Sequence, residues 1–153
     1  MSNQDNAQPI VILMADDDAD DRFFTKEAFQ ENRIINELHF VKDGVELLEF
    51  LNRQGEYANK DHLPMPDLIL LDLNMPRKDG RETLQEIKAD PKLRTIPVVI
   101  LTTSSAEEDI VRSYELGAAG YITKPIMFDQ LVEITSILGK YFVQIVKLPP
   151  RRL

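Results

Sequence analysis

The sequence predicts an α/β fold: a doubly wound, five-stranded parallel sheet with a helix after each strand. Three observations carry this. Apolar runs of strand length alternate with segments of helical period, the pattern of a parallel sheet covered by helices on both faces. Runs such as Leu68-Ile69-Leu70-Leu71 and Val98-Val99-Ile100-Leu101 are continuously aliphatic, as expected of buried strands. Acidic residues stand directly after two of these runs, Asp16-Asp17 after the first and Asp72 after the third.

The elements follow in order. Strand one runs from Ile10 to Ala15 and helix one from Asp20 to Asn32, with Asp18 or Asp20 as the capping or first-turn acid. Strand two spans Leu38 to Val41, and helix two spans Gly44 to Arg53 with Val45, Leu48 and Leu51 inward. Residues 54–66 exceed the usual connection of about 2 to 6 residues and read as an insertion. Strand three is Leu68 to Leu71. Helix three runs from Arg81 to Ala89 and stops near Asp90-Pro91, because a residue before proline avoids the helical region. Strand four is Val98 to Leu101. Helix four, from Ala106 to Leu116, ends at Gly117, a residue suited to a left-handed cap, and strand five follows from Gly120 to Thr123. The last helix, from Phe128 to Val146, carries Leu131, Ile134, Leu138, Tyr141 and Ile145 at helical spacing, with Val132, Ile137, Phe142 and Val146 forming a second apolar face. The expected organisation is a disordered start over 1–8, one domain over 9–147, and a tail over 148–153 too short for an output domain.

Composition narrows the function. A chain of 153 residues can bury about 70% of its unfolded surface in one core. The absence of cysteine excludes disulfides, thiolate zinc sites and thiol catalysis, and His39 and His62 are too few for a histidine-only zinc site and carry no expected role. With 18 basic and 26 acidic residues the net charge is -8, which disfavours nucleic acid as a partner. The polar start is not a signal peptide, and no apolar run approaches the roughly 20 residues that span a bilayer. A cytoplasmic protein without a membrane partner is expected.

In a parallel α/β sheet, ligands bind beyond the C-terminal strand ends, and the unusual polar residues map to that rim. Asp16 and Asp17 end strand one, Asp72 strand three, Thr102 and Thr103 strand four, and Lys124 strand five. Three crowded carboxylates call for a hard cation between them, and Mg2+ suits a site with few protein ligands plus waters. A phosphoryl donor held there in line with Asp72 would be attacked by that carboxylate to give an acyl phosphate. Lys124 would then neutralise equatorial oxygens, Thr102 would offer a hydroxyl and Thr103 a backbone N–H. Lys124 precedes Pro125, where a cis peptide would aim the lysine inward. A calcium loop starting at Asp16 fails, because its sixth position is Asp21 where glycine is required and an apolar strand precedes it.

In the order Asp16-Asp17, then Asp72-Leu73-Asn74-Met75-Pro76-Arg77-Lys78-Asp79-Gly80, then Thr102-Thr103, then Lys124-Pro125, the chain resembles the receiver domain of two-component response regulators across about residues 9 to 146. The resemblance implies a flavodoxin-like (βα)5 receiver. Asp72 is its phosphoacceptor, and Asp16, Asp17, Asp72 and the backbone carbonyl of Asn74 are the magnesium ligands. Thr102 and Tyr121 are its switch pair, and Asn74 and Ser104 stand where the family tunes dephosphorylation. The segments Arg53-Gln54-Gly55-Glu56-Tyr57, Ser113-Tyr114-Glu115-Leu116-Gly117 and Val146-Lys147-Leu148-Pro149 further resemble stand-alone receivers paired with phytochromes of the cyanobacterial type.

The implied function is a single-domain response regulator. It takes a phosphoryl group from a sensor histidine kinase onto Asp72, a kinase that the second resemblance implies to be of phytochrome type, and signals to an unknown downstream protein by contact. An intermediate phosphorelay carrier uses the same chemistry. A homodimer through helix four, strand five and the extended last helix is expected from the same resemblance. An enzyme of the haloacid dehalogenase type would need a second Asp two positions beyond the nucleophile, where this chain has Asn74, so no turnover of an external substrate is expected.

Overall fold

The computed structural model describes residues 10–32, 36–103 and 106–124. Five strands, β1 (Ile10–Ala15), β2 (Asn36–Val41), β3 (Leu68–Asp72), β4 (Val98–Thr102) and β5 (Gly120–Thr123), form one sheet in the order β2-β1-β3-β4-β5. Every pairing is parallel. The helices α1 (Ala19–Asn32), α2 (Gly44–Asn52), α3 (Gly80–Ala89) and α4 (Glu107–Glu115) connect them. The last helix expected over 128–146, Pro125, Ser104, the 1–8 start and the 148–153 tail lie outside the described residues.

Sheet order reverses between β1 and β3, and this locates the site. The chain leaves β1 toward one edge and β3 toward the other, so a crevice opens beyond their C-terminal ends. Registers Ala15↔Leu71 and Asp72↔Leu101 place the first residue after β1 beside the end of β3, at one level of the rim. Asp67 fixes that level at the other end of the sheet: its N–H donates to Val11 O at 2.7 Å and its Oδ2 accepts from Val11 N at 2.9 Å.

Alternation along the strands divides the core. Leu13, Ala15, Ile69, Leu71, Val98 and Ile100 face one side with Leu47, Phe50 and Leu51 of α2 and Leu84 and Ile87 of α3. Ile12, Met14, Leu68, Leu70, Val99 and Leu101 face the other. In α2 the inward stripe is Leu47, Phe50 and Leu51: Leu51 is buried as expected and Leu48 packs half-buried against the core, while Val45 is only half-buried and outside it, which corrects the expected inward place of Val45. Both stripes have helical spacing. The large Phe50 ring decides between them, because burying it removes more apolar surface from water than burying Val45.

The expected insertion over 54–66 is built onto α2. Arg53 caps α2 in the left-handed region (φ 53°), a 3₁₀ turn follows at Gly55–Tyr57, and the Tyr57 ring packs 5.1 Å from Phe50. Tyr57 Oη donates to Glu46 Oε2 at 2.7 Å, and the Arg53 guanidinium donates to Phe50 O and Leu63 O. α3 starts where Gly80 N–H donates to Leu73 O at 2.8 Å. That approach requires glycine: a Cβ at position 80 would lie 2.4 Å from Asp72 O and 2.7 Å from Leu73 Cα.

Candidate functional site

β1 delivers Asp16 to the rim with no solvent exposure, and β3 delivers Asp72 buried at its last residue. Asp17 follows Asp16 and is exposed. One carboxylate oxygen from each of Asp16, Asp17 and Asp72 lies within 4.8 Å of the others, so the three can hold one cation. All three donors are hard oxygens, which fits a divalent cation completed by water.

Burial disfavours both inner carboxylates as anions. It pushes the Asp16 carboxyl up to about 7, only partly countered by Lys124 and by the Asp18 N–H, which donates to Asp16 Oδ1 at 2.9 Å. Burial also raises the Asp72 carboxyl above its ordinary range, with repulsion from Asp17 in the same direction and Lys124 and the Asn74 N–H opposing. A cation held by this trio meets two carboxylates, Asp16 and Asp72, that water barely reaches.

Lys124, just past β5, supplies the positive charge. Its Nζ lies 2.8 Å from Asp16 Oδ2, 3.2 Å from Asp72 Oδ2 and 2.6 Å from Asp21 Oδ2. Burial opposes the ammonium, but the hydrogen bonds to Asp16 and Asp21 outweigh it and hold Lys124 firmly protonated. Its backbone N–H donates to Thr102 O.

Thr102 is fully buried at the end of β4, and Asn74 connects it to the acid end of β3. The Asn74 N–H donates to Asp72 Oδ1 at 3.1 Å, while Nδ2 lies 3.4 Å from Thr102 Oγ1. Tyr121 pairs with Ile100, two residues before Thr102, so the two expected switch residues stand on one sheet face, with the Tyr121 ring half-buried against the α2–α3 side of the core. Thr103 is exposed and lines, with Asp17, Asp21, Asp72, Asn74 and Lys124, an open pocket of about 330 Å³.

The structure thus brings together Asp16, Asp17, Asp72, Asn74, Thr102, Thr103 and Lys124, contributed by segments spread over more than a hundred positions. Asp18 is confirmed as the cap of α1: its Oδ1 accepts from the N–H groups of Asp20 at 2.8 Å and Asp21 at 3.3 Å. Sequence reasoning missed two neighbours. Arg22 donates to the Asp16 carbonyl at 2.6 Å, and Asp21 makes the shortest contact with Lys124. The available signal for Asp21 was its spacing from Asp17, about one helical turn.

A parallel sheet in this strand order, with an acid trio, a threonine and a lysine at its C-terminal rim, defines a receiver domain. The chain belongs to the response regulator receiver domain family, matched over residues 12–136. It is 42% identical over 149 residues to response regulator Rcp1 of Synechocystis sp. (strain ATCC 27184 / PCC 6803 / Kazusa), covering 97% of this chain and 99% of that one. Its structure is similar to the Mn(2+)-bound form of response regulator Rcp1, with a TM-score of 0.77, 43% identity, and coverage of 90% of this chain and 97% of that chain. It is also similar to the phosphorylated cyanobacterial phytochrome response regulator RcpA, with a TM-score of 0.78, 42% identity, and coverage of 90% and 96%. The protein is therefore a receiver-domain response regulator related to phytochrome response regulators. Among the described residues no helix is long and apolar enough to cross a membrane.

Proposed function

We propose that the chain accepts a phosphoryl group on Asp72 from a sensor histidine kinase of phytochrome type, in the cytoplasm, and signals by protein contact. The observation that carries this reading is the convergence on Asp72: an acid trio within 4.8 Å, Lys124 Nζ at 3.2 Å, and Asn74 bridging toward Thr102.

Asp16, Asp17 and Asp72, with the Asn74 carbonyl, would hold Mg2+. When bound, the metal supplies charge neutralisation and orientation for the incoming phosphoryl oxygens. Asp72 then forms the O–P bond as the donor's P–N bond breaks, and Lys124 balances charge on the equatorial oxygens. The Thr102 hydroxyl and Thr103 N–H complete the contacts, and Thr102 with Tyr121 carries the change outward as a bistable packing. Asn74 stands where a phosphatase of the dehalogenase type would place its general acid. That absence of an acid favours holding the phosphoryl group over turning over an external substrate.

The Mn(2+)-bound form of Rcp1 and the phosphorylated form of RcpA support the same chemistry here. A phytochrome-type kinase is inferred from these relatives. In addition, Val111 and Tyr114 stand exposed on α4, which supports a homodimer through α4, β5 and the segment 128–146. The test of the acceptor is labelling by acetyl phosphate with Mg2+: the native chain takes up one phosphoryl group and Asp72→Asn takes up none. Undiminished labelling of Asp72→Asn would sink the assignment.

A further inference from the structure

We propose that Asp21 is a positioning residue for Lys124, the carboxylate that keeps the ammonium at the rim when Asp16 and Asp72 turn to a divalent cation. The inference rests on the reading of Asp16, Asp17 and Asp72 as the metal site. Lysine has three N–H donors, and the Lys124 ammonium has three carboxylate partners: Asp21 at 2.6 Å, Asp16 at 2.8 Å and Asp72 at 3.2 Å. Two of those partners belong to the cation-holding trio, and Asp21 does not.

The consequence is a competition between like charges. A divalent cation bound by the trio draws on the oxygens that partner Lys124, and it repels the ammonium at close range. Without Asp21 the lysine would have only the contested oxygens. With Asp21 it has a carboxylate that the cation leaves alone, on the α1 side of the pocket.

Asp21 is built for one position. It sits in the first turn of α1, its backbone N–H accepted by Asp18 Oδ1 and its carbonyl accepting from Thr25 Oγ1 at 2.9 Å. Thr25 is itself buried. A first-turn acid also interacts favourably with the helix dipole, but Asp20 does that equally well, is exposed, and makes no contact with Lys124 among the described residues. Asp20 therefore separates charge from contact. Asp21→Asn and Asp20→Asn remove the same charge one residue apart.

The experiment is a calorimetric titration with Mg2+ of the native chain, Asp21→Asn and Asp20→Asn, each also in a Lys124→Ala background. Circular dichroism checks the fold of every variant, and Lys124→Gln replaces Lys124→Ala if the latter does not fold. The expected result is that Asp21→Asn weakens Mg2+ binding several-fold more than Asp20→Asn, and that the two become equal once Lys124 is gone. Equal affinities in the native background would overturn the proposal, as would an excess effect that persists without Lys124. An Asp17→Asn variant that binds Mg2+ as tightly as the native chain would instead overturn the metal-site reading, and this inference with it.

Discussion

Arg77 grips Asp43 across 34 positions from a left-handed backbone: at φ 66°, its Nε lies 2.8 Å from Asp43 Oδ2 and its NH2 3.1 Å from Oδ1. The same Asp43 Oδ1 caps α2 by accepting from Glu46 N at 2.9 Å, and the next residue, Gly44, donates its N–H to Lys78 O at 3.2 Å. The loop leaving the acid end of β3 is thereby fastened to the start of α2. Asp43→Ala removes both cap and clamp and is expected to cost about 1–2 kcal/mol, seen as a lowered melting temperature. Arg77→Gly loses the clamp but relieves the left-handed backbone, so its melting temperature should fall less. The reverse order would refute this account of the loop.

Acid should attack the same contact. Burial works against the Asp43 carboxylate, but the Arg77 hydrogen bonds and the α2 N–H groups outweigh it and hold its carboxyl below the ordinary range. The unfolded chain binds this proton with a pKa of about 3.9. The stabilisation is therefore fully present above that pH and is lost as pH falls through the lower folded-state value. Melting curves across the acid range should show a shallower decline for Asp43→Asn than for the native chain, and parallel declines would exclude the contribution.

Gly80→Ala tests the approach of α3 to the acceptor strand. Alanine is favoured over glycine inside helices by about 1 kcal/mol, yet here its Cβ would meet the backbone of Asp72 and Leu73, which cannot rotate away. Overpacking of about 1–3 kcal/mol should outweigh the propensity gain. The variant is expected to melt lower and to label more slowly with acetyl phosphate. Stabilisation on mutation would show that the strand end yields.

Lys124→Ala removes the partner of two buried carboxylates. The loss should approach the roughly 3–5 kcal/mol of a broken buried ion pair only where the carboxylates stay ionised, so the melting temperature without divalent cation falls most at high pH. Added Mg2+ should restore much of it, while labelling of Asp72 stays slow. Melting and labelling both equal to those of the native chain would remove Lys124 from the site.

The dimer is tested by size. Chromatography with light scattering, with and without beryllium fluoride and Mg2+, should show a dimer that Tyr114→Glu on the exposed face of α4 weakens. A monomer in both states at high concentration would exclude the seam.

Which parts were legible from sequence follows from how local each signal is. Aliphatic runs with a polar residue at the end announce a buried strand and its rim in one stretch, so the five strands and Asp16, Asp72, Thr102 and Lys124 could be placed. β3 and β4 each run one residue past the aliphatic run that announces them, because Asp72 and Thr102 still pair in the ladder. Asp21 and Arg77 were illegible in their roles because their partners lie 103 and 34 positions away, and alone each reads as an ordinary helix acid or loop base. Val45 misled because period alone cannot choose between two apolar stripes on one helix.

The backbone bond from Lys124 N–H to Thr102 O bears on entropy. Two of the groups proposed to receive the phosphoryl oxygens, Thr102 at the end of β4 and Lys124 just past β5, are thus already locked together, one fully buried and the other held by three carboxylates. Ordering an unfastened residue costs about 1–2 kcal/mol of backbone freedom, with up to about 2 kcal/mol more for a lysine side chain. Folding has already met that cost here, so catching a phosphoryl group asks for an exchange of partners and almost no loss of motion.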